Sequence, residues 1–142
     1  MAGPSGASIR VARPTRDLHA CVEFYVDAGG LERLGGFEGH AGYDGIFVGP
    51  AGGLAGAPWH LEFTRHGSGG PEPRPTHEDL LVLYLPASEL AAAQGRLARA
   101  GYGAVQHDNP YWSSVGAVVV PDPDGYLLVL CPAAQRPYAG RR

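Results

Sequence analysis

Residues 66–76 read HGSGGPEPRPT, with three Gly, three Pro and almost no apolar side chain. Such a run cannot bury itself and reads as a loop. Its importance lies in what flanks it, because the same order of elements precedes and follows it. Before the loop, Ile9 to Arg13 is a short apolar-leaning stretch broken by Pro14 and Thr15. Residues 17–27 then place Leu18, Cys21, Val22 and Tyr25 at helical spacing, with Thr15 or Asp17 as cap and Gly29 and Gly30 as stop. Three strands follow at Leu31 to Phe37, Tyr43 to Val48 and Trp59 to Thr64, between Gly-rich turns. After the loop, Leu80 to Leu85 is a continuous apolar run fit for a strand, and Ser88 to Ala100 is an Ala-rich helix stopped by Gly101. Gly103 to Gln106, Gly116 to Val120 and Tyr126 to Cys131 read as three more strands, the last two joined by a DPDG turn.

Each half is therefore βαβββ, and a repeat of this kind constrains architecture more than any single motif. The expected class is α+β: two βαβββ modules forming an open, cup-shaped mixed sheet. One domain spans about 9–134, with module 1 at about 9–65, a linker at 66–78 and module 2 at about 79–134. A disordered N-terminal tail at 1–8 and a C-terminal tail at 135–142 flank it. Along a strand, alternate side chains share a face, so His60, Glu62 and Thr64 point together, as do Leu80 and Tyr84.

The 142 residues suffice for one domain and leave no room for two. At 44% hydrophobic and 18% charged the composition is that of a globular protein. A net charge of −3 with no run of like charges argues against nucleic acid or an anionic membrane as partner. No stretch is long and apolar enough to span a bilayer, and the start MAGPSGAS has no leader character. A cytoplasmic location is expected, where Cys21 and Cys131 stay buried thiols.

The opening IRVARPTRDLHACVEFYVDAGGL and the closing NPYWSSVGAVVVPDPDGYLLVL resemble the vicinal oxygen chelate superfamily of glyoxalases, bleomycin-resistance proteins and ring-cleaving dioxygenases. The closing stretch carries the more specific likeness, and the strings GHAGYDG, HLEFT and NPYW are similar to those of an obscure bacterial branch. The resemblance runs from Ile9 to Pro132 and implies a homodimer. In metal-dependent members an ion is held from four strands, at places that fall here on Arg10, Glu62, Leu80 and Val129. Of these only Glu62 offers a lone pair, while a divalent ion needs four to six oxygen or nitrogen donors. Neither a metal nor another cofactor is expected. Instead, Arg10 and Glu62 are expected to form a charge-assisted pair where the ion sits in those relatives.

Other motifs carry less. His60 and Glu62 form H-x-E, but the P-C-x-x-C partner of zinc deaminases is missing. The pair still offers an imidazole beside a carboxylate, the makings of acid–base chemistry. DPDG at 122–125 lacks the later ligands of a calcium loop, GYG lacks a dinucleotide fingerprint, and HGSGG has His66 where a nucleophile elbow needs Gly. Two linker clusters at equivalent places in the modules, His40, Tyr43 and Asp44 in one and Asn109, Tyr111 and Trp112 in the other, present aromatic rings with polar tips. That suits a small, partly apolar ligand. Tyr84 adds a phenol. His19, His77 and His107 receive no role.

The leading expectation is a glyoxalase/bleomycin-resistance-like protein that binds a small organic ligand, with Arg10, His40, Tyr43, Asp44, Tyr84, Asn109, Tyr111 and Trp112 as contacts. The alternative is an isomerase, lyase or hydrolase using Glu62 and His60 as catalytic residues. Further behind stands a metal-dependent glyoxalase or dioxygenase with borrowed ligands.

Overall fold

The computed structural model describes residues 6–137, so the tail assignments at 1–5 and 138–142 lie outside the described residues. The chain divides into two compact units, one ending at Pro73 and the other beginning at Arg74. The division falls within the Gly- and Pro-rich run 66–76.

The first unit holds β1 (Ile9–Pro14), β2 (Glu32–His40), β3 (Tyr43–Gly49) and β4 (Trp59–His66) in the order β1-β4-β3-β2. β1 runs parallel to β4 and the remaining pairs are antiparallel. A helix links β1 to β2: α1 (Leu18–Cys21) runs straight into a π-helical turn, Val22–Ala28. Of the two candidate caps Asp17 is the one used, its side chain accepting from the Ala20 N–H at 3.2 Å, while the Thr15 hydroxyl accepts from the Asp17 N–H at 3.2 Å in the turn before the helix.

The regular helix expected through Asp27 is corrected to a wider one from Val22 on, with the Gly29 N–H reaching back to the Phe24 carbonyl at 2.8 Å. Its cause is the adjacent pair Phe24 and Tyr25, both fully buried. Neighbours on an α-helix point well apart, and the wider turn brings both rings toward the sheet. Tyr25 stacks on Phe63 at 5.0 Å between centroids and meets Phe24 edge-on at 4.7 Å. Gly30, at φ 87°, then ends the helix. The helix side of this sheet thus carries Leu61, Phe63, Ile46 and Val48, leaving Arg10, His60 and Glu62 on the opposite face.

The second unit holds β5 (Leu80–Leu85), α2 (Ala87–Arg99), the short α3 (Tyr111–Ser114), β6 (Val118–Pro121) and β7 (Leu127–Pro132), with sheet order β5-β7-β6. Again the first and last strands are parallel. Leu90, Ala93 and Leu97 form the buried side of α2, which lies against β7. The strand expected at Gly103 to Gln106 is not formed; a single bridge from Val105 to Val119 stands in its place. That stretch is solvent-exposed at each of its four positions, so no burial selects one face and holds an extended register. DPDG is a turn: the Asp122 carboxylate accepts from the N–H groups of Asp124 at 2.8 Å and Tyr126 at 3.0 Å, and Gly125 takes φ 93°. Each unit has a mixed sheet and few helices, an α+β construction. Cys21 and Cys131 are buried free thiols.

Candidate functional site

Parallel pairing sets Arg10 of β1 beside His60 of β4, and antiparallel pairing sets Phe47 of β3 beside Glu62. Alternation then puts all four side chains on one face of the first unit. The Arg10 Nε–H donates to His60 Nε2 at 2.8 Å, and Arg10 Nη1 stands 3.9 Å from Glu62 Oε2. The guanidinium lies over the Phe47 ring, 4.8 Å from its centroid, and Phe47 meets the His60 ring edge-on at 5.9 Å. The expected pairing of Arg10 with Glu62 is present at long range. The shorter bond to His60 was not foreseen.

That bond fixes the imidazole. An arginine N–H only donates, so His60 Nε2 accepts and the ring proton sits on Nδ1. His60 is 9% exposed, and Nδ1 has no hydrogen-bond partner among the described residues. A buried donor without an acceptor is costly. Glu62 is 15% exposed at its side chain, and among the described residues its one polar contact is the long one to Arg10. It is a partly desolvated carboxylate with lone pairs to spare.

Phe37 and Phe47 extend this face and were missed in the sequence. Phe37 packs its ring over Gly45, where any side chain would collide with it, and lies 5.9 Å from Phe47. Only the register of β2 and β3 against β4 reveals that these rings share the face of Arg10, and no local pattern encodes that register.

His40 and Tyr43 are cross-strand partners at the end of the β2–β3 hairpin, around Ala41 and Gly42 at φ 51° and 85°. The Tyr43 ring rests edge-on against His66 at 4.7 Å. Asp44 accepts from the Gly39 N–H at 2.8 Å, and by alternation it belongs to the helix side of the sheet, away from Arg10. The structure therefore separates Asp44 from the Arg10 face.

In the second unit, Leu80, Val82 and Tyr84 of β5 and Trp112 of α3 pack on Val119, Leu127, Val129 and Cys131. Leu80 and Val129 are hydrocarbon within this cluster, as their side chains require. Asn109 caps α3, its carbonyl accepting from the Tyr111 N–H at 3.0 Å, while Tyr111 is exposed and meets Trp112 edge-on. Trp112 is largely a packing residue, although its Nε1–H has no partner among the described residues. His107, given no role, is buried and builds the loop before α3. It bonds the His77 carbonyl through Nε2 at 2.5 Å and accepts from the Asn109 N–H through Nδ1 at 2.9 Å.

Burial raises the Tyr84 phenol above its ordinary 10.0, with Cys131 and Tyr111 adding to the rise. The folded chain holds this proton more tightly than the unfolded chain does. Its stability is therefore undiminished below the unfolded value and falls as pH climbs toward the folded one. Tyr84→Phe is expected to flatten part of the loss in melting temperature between about pH 9 and 11. Equal losses in both proteins would contradict this.

These donors do not fit the metal of the chelate superfamily. Among the described residues no three His, Cys, Asp or Glu side chains gather to hold an ion. His60 and Glu62 lie beside a guanidinium whose Nε–H occupies the histidine lone pair.

Two family models match the chain: a YycE-like N-terminal domain at residues 9–64 and a YycE-like C-terminal domain at residues 78–132. The YycE of Bacillus subtilis, described as an uncharacterized protein, is 45% identical over 124 residues, which are 87% of this chain and 86% of that one. A crystal structure of a Bacillus subtilis YycE, described as of unknown function, is 44% identical with a TM-score of 0.78, covering 88% of each chain. Likeness extends to glyoxalase I of Leishmania major, at 17% identity and TM-score 0.68 over 87% of this chain and 84% of that one. It also reaches the fosfomycin resistance protein FosX from Mesorhizobium loti, at 10% and 0.62 over 86% and 87%. At those two identities the likeness is one of fold alone.

Proposed function

Because the chain belongs to the YycE-like family of the vicinal oxygen chelate superfamily, we propose that it binds a small organic acid through Arg10, in the place where metal-dependent relatives of this fold hold an ion. One observation carries the reading: the 2.8 Å bond from Arg10 Nε to His60 Nε2. It aims a cation out of a sheet face and leaves the remaining guanidinium N–H groups for a carboxylate or phosphonate, the acceptors a planar fork fits best. His60 Nδ1–H supplies a further buried donor, and Phe47 and Phe37 supply ring surface for the apolar part of the ligand. No metal takes part. The ligand contacts expected of His40, Tyr43, Tyr84, Asn109, Tyr111 and Trp112 remain part of the proposal, each within its own unit, and Asp44 is withdrawn from it. A homodimer is proposed on the family likeness alone. Among the described residues no helix is long and apolar enough to cross a membrane.

A second reading has its own observation in Glu62, largely buried and, among the described residues, held by no bond shorter than the 3.9 Å contact to Arg10. It would take a proton from a carbon beside the ligand carbonyl, leaving the electron pair on the ligand as an enolate that Arg10 stabilises. A melting-temperature screen of chelator-treated protein with matched pairs, each an acid and its neutral amide, tests both readings. The acids are expected to stabilise, by about 2.7 kcal/mol at 100 times the dissociation constant, and the amides to do nothing. Stabilisation by amides alone, or by acids only after metal is restored, would contradict the proposal. A product formed from the acid and lost in Glu62→Gln, with binding retained, would establish the second reading over simple binding.

A further inference from the structure

A second cavity lies on the opposite, helix side of the first unit's sheet, between α1 and the edge strand β2, with a volume of about 710 Å³. Its size falls within the range of small-molecule sites. Its existence follows from the sequence of β2. A bulge between Arg33 and Gly35 puts Arg33 and Gly36 together on the helix side, with Gly36 paired to Ile46. Gly36 leaves the floor bare, and no larger residue can take its place without strain. A Cβ there would stand 2.8 Å from the Gly45 carbonyl oxygen and 3.1 Å from Arg33 Nη2. Leu18 and Val22, both half-buried on the helix, form an apolar wall beside Ile46.

The charges are arranged in a particular way. Arg33 folds its guanidinium over Gly36, yet it has neither an ion pair nor a side-chain hydrogen bond among the described residues. Asp44 stands on the same side of β3, two residues from Ile46 and so about 7 Å along the strand. Glu38 adds a second carboxylate to the lining. His19, on the helix, is already matched to Glu23 at 2.9 Å. A cation and a carboxylate thus share one cavity without meeting, with an apolar wall between helix and sheet.

We infer that this cavity is a site for a small zwitterion with an apolar side chain, of the amino-acid class, whose carboxylate pairs with Arg33, whose ammonium pairs with Asp44 and whose side chain lies on Leu18 and Val22. An anion alone would face the Asp44 and Glu38 carboxylates without a cation between, and a cation alone would meet Arg33. Its charged groups, Arg33 and Asp44, lie on the side of the sheet opposite Arg10, while Phe37 of the Arg10 face reaches its lining at the sheet edge.

L-leucine titrated into isotope-labelled whole protein is the test, followed by the methyl signals of Leu18 and Val22. Saturable shifts are expected. N-acetyl-leucine and leucinamide, each missing one charge, are expected to bind about tenfold more weakly, as is L-leucine to Arg33→Gln or Asp44→Asn. Both side chains are exposed, so these variants keep the fold, which an unchanged melting temperature verifies. Absence of saturable shifts with L-leucine, binding of either analogue as tight as that of L-leucine, or wild-type affinity in either variant would each overturn the inference.

Discussion

Arg10→Met is expected to weaken binding of an acid-bearing ligand by about 100-fold or more while leaving neutral analogues as weak as before. Methionine replaces the guanidinium that lies over Phe47 with an unbranched apolar chain and deletes every donor the ligand anion needs. Truncating one partner of a desolvated, hydrogen-bonded charge pair costs about 2–5 kcal/mol, mostly in a faster off-rate. His60 then has nothing to hold, and its variants separate positioning from contact. His60→Gln retains a carbonyl to accept from Arg10 Nε and is expected to keep most of the affinity. His60→Leu removes that acceptor and is expected to lose about tenfold, through a guanidinium free to turn away. Calorimetric titration of the three variants against one acid and its amide reads these differences. An Arg10→Met protein that binds the acid as tightly as the parent would contradict the role given to this residue.

Phe63→Ala is expected to cost about 3–5 kcal/mol of unfolding free energy, the largest stability loss of any substitution considered. Phe63 is 1% exposed and stacks on Tyr25, which in turn braces Phe24, so one deletion empties the contact that docks the helix on the first sheet. The wide π turn exists to bring those two rings to the sheet, and without Phe63 its reason is gone. β4 also carries His60 and Glu62 on its other face, so loosening that strand is expected to weaken ligand binding together with stability. Denaturant unfolding followed by circular dichroism measures the first effect. A loss below about 1 kcal/mol would show that the helix is docked by something else.

The same two strands show what the sequence discloses and what it withholds. The duplicated module was legible because Gly- and Pro-rich punctuation and apolar runs recur in one order. The face shared by His60 and Glu62 was legible too, since alternation is local. What joins strands distant in sequence was not: Phe47 and Phe37 enter the site through registers fixed by packing, and His60 takes the nearer bond to Arg10 because it is its direct cross-strand partner while Glu62 lies one row further on. The absent strand at Gly103 to Gln106 failed for the opposite reason, since a strand-like string exposed on both sides has no buried face to extend the single bridge from Val105 to Val119 into a ladder. Asp44 was placed near the ligand by its neighbours Tyr43 and His40. Alternation sends it to the other side, where it serves a different cavity.

The account rests on a guanidinium occupying the place of an ion, and the nitrogen-15 spectrum of the His60 ring reads this directly. In chelator-treated protein the account predicts a protonated Nδ1 and a hydrogen-bonded, unprotonated Nε2, both unmoved by an equivalent of zinc or nickel. Loss or displacement of the Nε2 signal on adding one equivalent, with a matching change at Glu62, would show that the site takes a metal after all.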